Sequence, residues 1–187
     1  MACFGERGYH ETSIDDIAVR TGLSKGAVYH HFTGKREILL ALFEFWADQM
    51  LQRWEQISRE TDPLTALTRD AQAAFAIAGE AAPLVRASIE MLAQGVRDDE
   101  MRSRIAGVYD STRAHFASQL RRAREQGLVH GVDEDSVAYA LIGMFEGLFI
   151  LNAMDPDRVD VGAAWHAGVS ALLRGLAGAN RNGGRVD

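Results

Sequence analysis

The sequence predicts an all-α protein, with a small N-terminal helical domain followed by a larger helical one. Apolar residues recur at helical spacing along most of the chain, and strand-like alternation is scarce. Only three prolines interrupt 187 residues, and hydrophobic residues make up 47 %, enough for a packed interior in a chain of this length.

The helices can be placed in order from their start and stop signals. Met1 to Arg7 reads as the end of a helix stopped by Gly8. Thr12 then opens a short helix, with Asp15 three residues on as in a capping box, and Ile14, Ile17 and Ala18 on one face. Thr21-Gly22-Leu23-Ser24 is a tight connection, in which Gly22 supplies a positive φ and Ser24 caps a helix from Lys25 to His31. A long helix follows from about Lys35 to Glu60. Asp62-Pro63 opens another, to about Gly79, and Ala82-Pro83 opens the next, ending near Gly95. Asp98 caps a long helix to Gln126, ended by Gly127. Asp133 caps a helix to about Met154, which Asp155-Pro156 breaks, and a last helix runs from about Val159 to Ala177.

Charge is distributed unevenly. The net charge of −6 argues against nucleic-acid binding if taken whole. Between Arg20 and Arg36, however, the only charged residues are Arg20, Lys25, Lys35 and Arg36, and the chain's only lysines are the two in this window. Local charge decides whether phosphate is attracted. Both lysines stand in the first turn of a helix, where the dipole disfavours a cation by about 0.3–1 kcal/mol, so an anion is expected beside them.

Two short helices joined through Thr21-Gly22-Leu23-Ser24 form a helix-turn-helix, with small Ala18 at the approach, Leu23 and Val28 in the wedge and Phe32 as the closing anchor. The run Gly8-Tyr9, Thr12-Ser13-Ile14-Asp15-Asp16-Ile17-Ala18, Thr21 through Phe32 and Lys35-Arg36-Glu37-Ile38-Leu39 closely resembles the TetR family of bacterial transcriptional regulators. The resemblance covers roughly the first fifth of the chain and implies an N-terminal helix-turn-helix DNA-binding domain over 1–42, with a ligand-binding and dimerisation domain over 43–179. Residues 180–187 are expected to be a disordered tail. By the same resemblance Lys25, Gly26, Ala27 and His30 face the major groove, and Thr12, Ser24, Tyr29, His31 and Lys35 hold the DNA backbone. The family has a fuller first helix than Met1 to Arg7 supplies, so that helix is expected to be truncated. Gly34 stands where the family usually places a Ser or Thr cap.

The helix from Asp133 to Met154 is apolar nearly all round, and a helix apolar on several sides is buried on several sides. With the last helix it is expected to pair with the same two helices of a second copy. Leu141, Gly143, Gly147, Leu148, Trp165, Gly168, Val169 and Leu172 are the expected interface residues. Trp54, Phe75, Met91, Tyr109, Phe116 and Phe145 are candidates to line an apolar effector cavity. His115 could add a polar contact, although a structural role suits it better.

Other function classes find little support. There is no Gly-x-Ser-x-Gly nucleophile motif and no P-loop, and adjacent His30 and His31 are poorly spaced for a metal, so no enzyme activity, cofactor or metal is expected. Cys3 alone excludes an internal disulfide and suits a reducing cytoplasm. The N-terminus lacks the pattern of a signal peptide, and the apolar stretch from Val137 to Met154 contains Glu146 and Asn152, so a buried helix is expected rather than a membrane span. The expected function is a DNA-binding regulator, acting as a homodimer on double-stranded operator DNA and released by a small-molecule effector. The alternative is an all-α ligand-binding or interaction protein whose truncated helix-turn-helix no longer holds DNA.

Overall fold

The computed structural model describes residues 2–70, 82–131 and 133–178, and among them all regular structure is helical. The helices are α1 (Ala2–Glu11), α2 (Ile14–Thr21), α3 (Lys25–His31), α4 (Lys35–Glu60), α5 (63–70 of the described residues), α6 (Ala82–Gly95), α7 (Asp99–Glu125), α8 (Glu134–Met154) and α9 (Val161–Gly178). Phe75 and the expected tail over 180–187 lie outside the described residues.

Most boundaries fall where the caps predict. Gly22 closes α2 at φ 70, Ser24 Oγ accepts the Ala27 amide at 3.1 Å, and Asp62 Oδ1 accepts the amides of Leu64 and Thr65. Asp98 Oδ1 accepts the Met101 amide at 2.9 Å, and Gly127 stands at φ 70 after α7. The first turn differs from expectation. Gly8 breaks α1 at φ 78, but helix resumes to Glu11, and the cap of α2 is Ser13 rather than Thr12. Ser13 Oγ accepts the Asp16 amide while Asp16 Oδ2 accepts the Ser13 amide, a reciprocal capping box shifted one residue along.

The chain divides into two compact units, each made of two segments. The first comprises Met1–Gln49 and Ile77–Val108, so the small N-terminal domain read from sequence gains α6 and the start of α7. In it α1 packs chiefly on α6, and α2 on α3. Phe4, Val28, Leu39, Leu40, Met91 and Met101 are buried. Gly95 permits a close approach of α6 to α7, since a Cβ there would lie 2.6 Å from Ile105 Cδ1. Arg104 ties α7 to α4 by pairing with Glu37 at 2.8 Å and Glu44 at 2.6 Å, two positions two turns apart on one face.

The second unit comprises Met50–Ala76 and Tyr109–Asp187. Trp54, Leu67, Phe116, Leu120, Leu141, Trp165 and Val169 are its large buried apolar residues, each contributing about 1.5–3 kcal/mol through burial. α8 packs on α9, with Phe145 edge-on to Trp165 at 6.0 Å between ring centroids. Among the described residues α8 is long and apolar enough by length and composition to cross a membrane, and 22 % of that stretch is buried, less than the burial on several sides expected from its sequence.

Polar groups also stand in this interior. Asp70 is fully buried, and its Oδ2 meets His115 Nε2 at 2.7 Å. Glu146 accepts a hydrogen bond from the Tyr109 hydroxyl at 3.2 Å. Burial raises the Glu146 pKa, and the Tyr109 bond offsets this only partly. The folded pKa therefore lies above the unfolded one, and between the two the folded state holds the extra proton. Stability falls as pH rises through that window and stays lowered above it. Glu146→Gln is expected to raise stability at neutral pH, with a gain that shrinks as pH drops below the ordinary glutamate range. Urea titrations of both proteins across that range check this, and a gain independent of pH would contradict it.

Candidate nucleic-acid interface

The helix-turn-helix is set by a few local interactions. Ala18 and Val28 are buried between α2 and α3, as their size and position predict. Leu23 is 53 % exposed and does not fill the wedge. It lies on the rim of an apolar hollow of about 340 Å³, with Val28 and Phe32. With Ser24 holding its first turn, α3 presents Ser24, Lys25, Gly26, Tyr29, His30 and His31 as exposed residues, while Ala27 is half-buried. The His30 and His31 rings stand edge to face, 5.0 Å apart.

The cations of this region all have partners in the folded chain. Lys25 Nζ lies 3.0 Å from Asp15 on α2, and this hydrogen bond raises the ammonium pKa. Arg20 pairs with both carboxylate oxygens of Glu6 at 2.6 and 2.7 Å, and Arg7 with Asp16 at 2.6 Å. Arg36 reaches Asp98 at 2.8 Å and Glu100 at 3.2 Å. The charge-free spacing between these basic residues hid their acidic partners, which lie outside the window.

One expected DNA-backbone contact is corrected, and a second already has partners within the chain. Thr12 is 1 % exposed, and its hydroxyl donates to the carbonyls of Gly8 at 2.7 Å and Cys3 at 3.0 Å, so it serves as an internal brace for α1. Lys35 does have a negative partner at its helix N-terminus, but that partner is the end of another helix. Its Nζ donates to the carbonyls of Tyr9 at 2.8 Å, His10 at 2.9 Å and Thr12 at 3.1 Å, and lies 4.7 Å from the centroid of the Tyr9 ring. Carbonyls at a helix C-terminus lack intrahelical donors, and an ammonium with three hydrogens suits three of them at once.

A further residue of this unit had no signal in the sequence. Glu90 on α6 accepts the Tyr9 amide at 2.9 Å, a donor that the break at Gly8 releases from the helix. Nothing in the spacing around Glu90 distinguishes it from a solvated helix carboxylate.

The expected effector and interface residues divide between the two units. Met91 is fully buried in the first unit. Trp54 and Phe116 are buried in the second, 5.2 Å apart, and Trp54 Nε1 donates to the Asp70 carbonyl at 2.6 Å. Tyr109 faces Glu146, and Phe145 packs on Phe149 and Trp165. Leu141, Trp165 and Val169 are corrected as interface residues: each is fully buried within a single chain, between α8 and α9. Gly168 also serves the internal packing, since a Cβ there would lie 2.6 Å from Met144 Sδ. Gly143 and Gly147 have no atom of the described residues near their Cβ positions. Tyr139, Ile150, Leu151 and Met154 are exposed on the same helix, and Leu148 and Leu172 are half-buried. Among the described residues no group of three His, Cys, Asp or Glu side chains could hold a metal.

The two lysines are therefore expected to behave differently on substitution. Lys35→Met loses charge-assisted hydrogen bonds and should destabilise the DNA-free protein by about 1.5–3 kcal/mol, and Lys35→Arg should also destabilise it because a planar fork does not converge on three carbonyls. Thermal unfolding measures both, and unchanged melting would refute the seat described for Lys35. Lys25→Ala, at an exposed pair, should leave melting nearly unchanged.

Residues 1–42 match the family described as bacterial regulatory proteins, tetR family, and residues 63–178 match the C-terminal domain of the BetI-type transcriptional repressors. The chain is 27 % identical over 171 residues to the uncharacterized HTH-type transcriptional regulator YfiR of Bacillus subtilis, covering 84 % of this chain and 78 % of YfiR. Among solved structures it is similar to SmeT, the repressor of the Stenotrophomonas maltophilia multidrug efflux pump SmeDEF, with 26 % identity and a TM-score of 0.75 over 93 % of this chain and 84 % of SmeT. It is also similar to the TetR-family regulator PfmR of Thermus thermophilus, with 30 % identity and a TM-score of 0.71 over 92 % and 93 % of the two chains. Two matched regions that together span most of the chain, and a capped helix-turn-helix with an exposed second helix, place this protein in the TetR family of bacterial transcriptional regulators.

Proposed function

We propose that this TetR-family regulator is a cytoplasmic homodimer that represses transcription, leaving its operator when a small apolar or amphipathic molecule binds the helical domain that follows the helix-turn-helix in sequence. The observation that carries the DNA reading is the exposed, Ser24-capped start of α3. Gly26 keeps that surface slim, so the helix backbone can approach base edges. Lys25, Gly26, Ala27 and His30 would face the major groove, and Ser24, Tyr29 and His31 would hold the phosphates. Lys25 must exchange Asp15 for a phosphate. That exchange is between exposed charges, where an ion pair contributes little to stability.

Repression is supported by the similarity to SmeT and by the match to the BetI-type repressor domain. Dimerisation is supported by the face of α8 that carries Gly143, Gly147, Tyr139, Leu151 and Met154, apolar or small residues that no described helix of the same chain covers at the glycines. Two copies paired there would present two α3 helices to half-sites about 34–36 Å apart. In this reading residues 1–42 read DNA, and 43–179 sense the effector and dimerise.

Gel shifts with the DNA flanking the gene, at several salt concentrations, test the reading. Sequence-dependent affinity that falls with salt is expected. Lys25→Ala should weaken binding and reduce the salt slope by about 0.9, the share of the one phosphate that Lys25 neutralises. Salt-independent or sequence-blind binding would argue for the alternative of an interaction protein. Gly143→Arg should leave the helical content of the protomer intact, because the site is open, and yield a monomer by light scattering. A persistent dimer would move the interface away from α8.

A further inference from the structure

In the second unit α4 and α7 border a cavity of about 610 Å³, within the size range of small-molecule sites. On α7 its wall is the stripe Ser111, His115, Ser118 and Arg122, which recurs at helical spacing over about 16 Å of helix. On α4 it is Leu51, Glu55, Ser58 and Arg59.

The charges on this wall do not cancel. Glu55 and Arg59 pair with each other at 3.5 Å, one turn apart. Arg122 has no acidic partner among the described residues. Its Nη1 donates to the Ser58 carbonyl at 3.0 Å and to Gln119 Oε1 at 2.8 Å. Two bonds on one nitrogen fix the guanidinium plane and leave the Nε and Nη2 edge without an acceptor among the described residues. A fixed guanidinium edge is the geometry that binds an oxyanion through two parallel hydrogen bonds.

Buried polar groups surround it. Ser58 is 6 % exposed, and its hydroxyl has no hydrogen-bond partner among the described residues, although an unmatched buried hydroxyl is costly. His115, 9 % exposed, is held by Asp70 through Nε2 and by stacking on Trp54 at 5.4 Å between centroids. Its other ring nitrogen has no partner among the described residues. The wall thus offers a fixed cation, an unused hydroxyl and an oriented imidazole, with Leu51 and Ala114 as apolar surface.

We propose that this cavity is the effector site and that its ligand is a small amphiphile with a single oxyanion head, a carboxylate or phosphate monoester, held by Arg122 and Ser58 with His115 beside it. This rests on the reading of the chain as an effector-responsive regulator and adds the place and chemical class of the effector. Of these residues only His115 stood out in the sequence; Arg122 sits in a run of arginines near a helix end, where a solvated cation is the ordinary reading.

Calorimetric titration of the full chain without DNA, using octanoate, octyl phosphate and octan-1-ol below their micellar concentrations, tests the site. At least one of the two anions should bind about tenfold or more tightly than the alcohol, as expected for a charge-assisted bidentate contact. Which anion binds separates the carboxylate source from the phosphate source. Arg122→Gln should remove that preference, leaving the alcohol unchanged. If this variant melts early, Arg122→Lys, which keeps the charge, should weaken the anion less than Arg122→Gln would if folded, and more than Arg121→Gln on the neighbouring exposed residue. Equal affinity for anion and alcohol, no anion binding, or anion affinity indifferent to residue 122 overturns the proposal. A parallel gel shift keeps the two readings apart. Loss of anion binding with operator binding intact sinks the site alone, and absence of operator binding sinks the regulator.

Discussion

The first unit depends on the seat of one ammonium group. Lys35 begins α4, where the helix dipole opposes a cation, yet its three hydrogens meet two of the last carbonyls of α1 and that of Thr12 just beyond it, and its charge lies near the Tyr9 ring. One helix starts where another ends, and a single side chain satisfies the orphan groups of the second. This accounts for a detail of composition. The chain uses arginine almost everywhere and keeps lysine at two places only. At position 35 a compact donor that points in three directions is required, and a planar guanidinium lacks that shape.

The break at Gly8 works in the same direction. A φ of 78 costs a residue with a side chain strain that glycine escapes, and the break frees the Tyr9 amide to bond Glu90. Thr12 braces the same turn from inside. α1 is thus held at its C-terminal end from α4 and from α6, while α2 and α3 are capped by Ser13 and Ser24. Recognition by α3 needs little more than this fixed platform, because its own seven residues cannot hold a helix without tertiary support.

Local rules made much of this legible in the sequence. The helices, their order and the caps at Ser24, Asp62 and Asp98 follow from side-chain chemistry within four residues, and the helix-turn-helix follows from Gly22 and the small Ala18. The shift of the cap from Thr12 to Ser13 turns on which of two adjacent hydroxyls faces the interior, which local pattern does not determine. Partners distant in sequence were invisible: Glu90 for Tyr9, Asp70 for His115, Arg104 for Glu37 and Glu44. Only part of the apolar surface of α8 is buried, at Ala138, Leu141, Ile142 and Phe145, although its sequence reads as buried on several sides. What covers each face was not readable, because a residue such as Leu141 looks the same whether a neighbouring helix belongs to its own chain or to a second copy.

The Glu90 contact bears on how such proteins can be recombined. The match to the family's DNA-binding domain ends at residue 42, a natural place to cut when fusing one regulator's reading head to another's sensing body. In this molecule the floor beneath α1 is α6, from a later stretch of the chain. A chimera joined at that point would inherit a foreign floor, with a backbone amide at Tyr9 facing whatever residue the new body offers. Heads from this branch should therefore travel with the segment over 82–108, or with a glutamate grafted at the matching position.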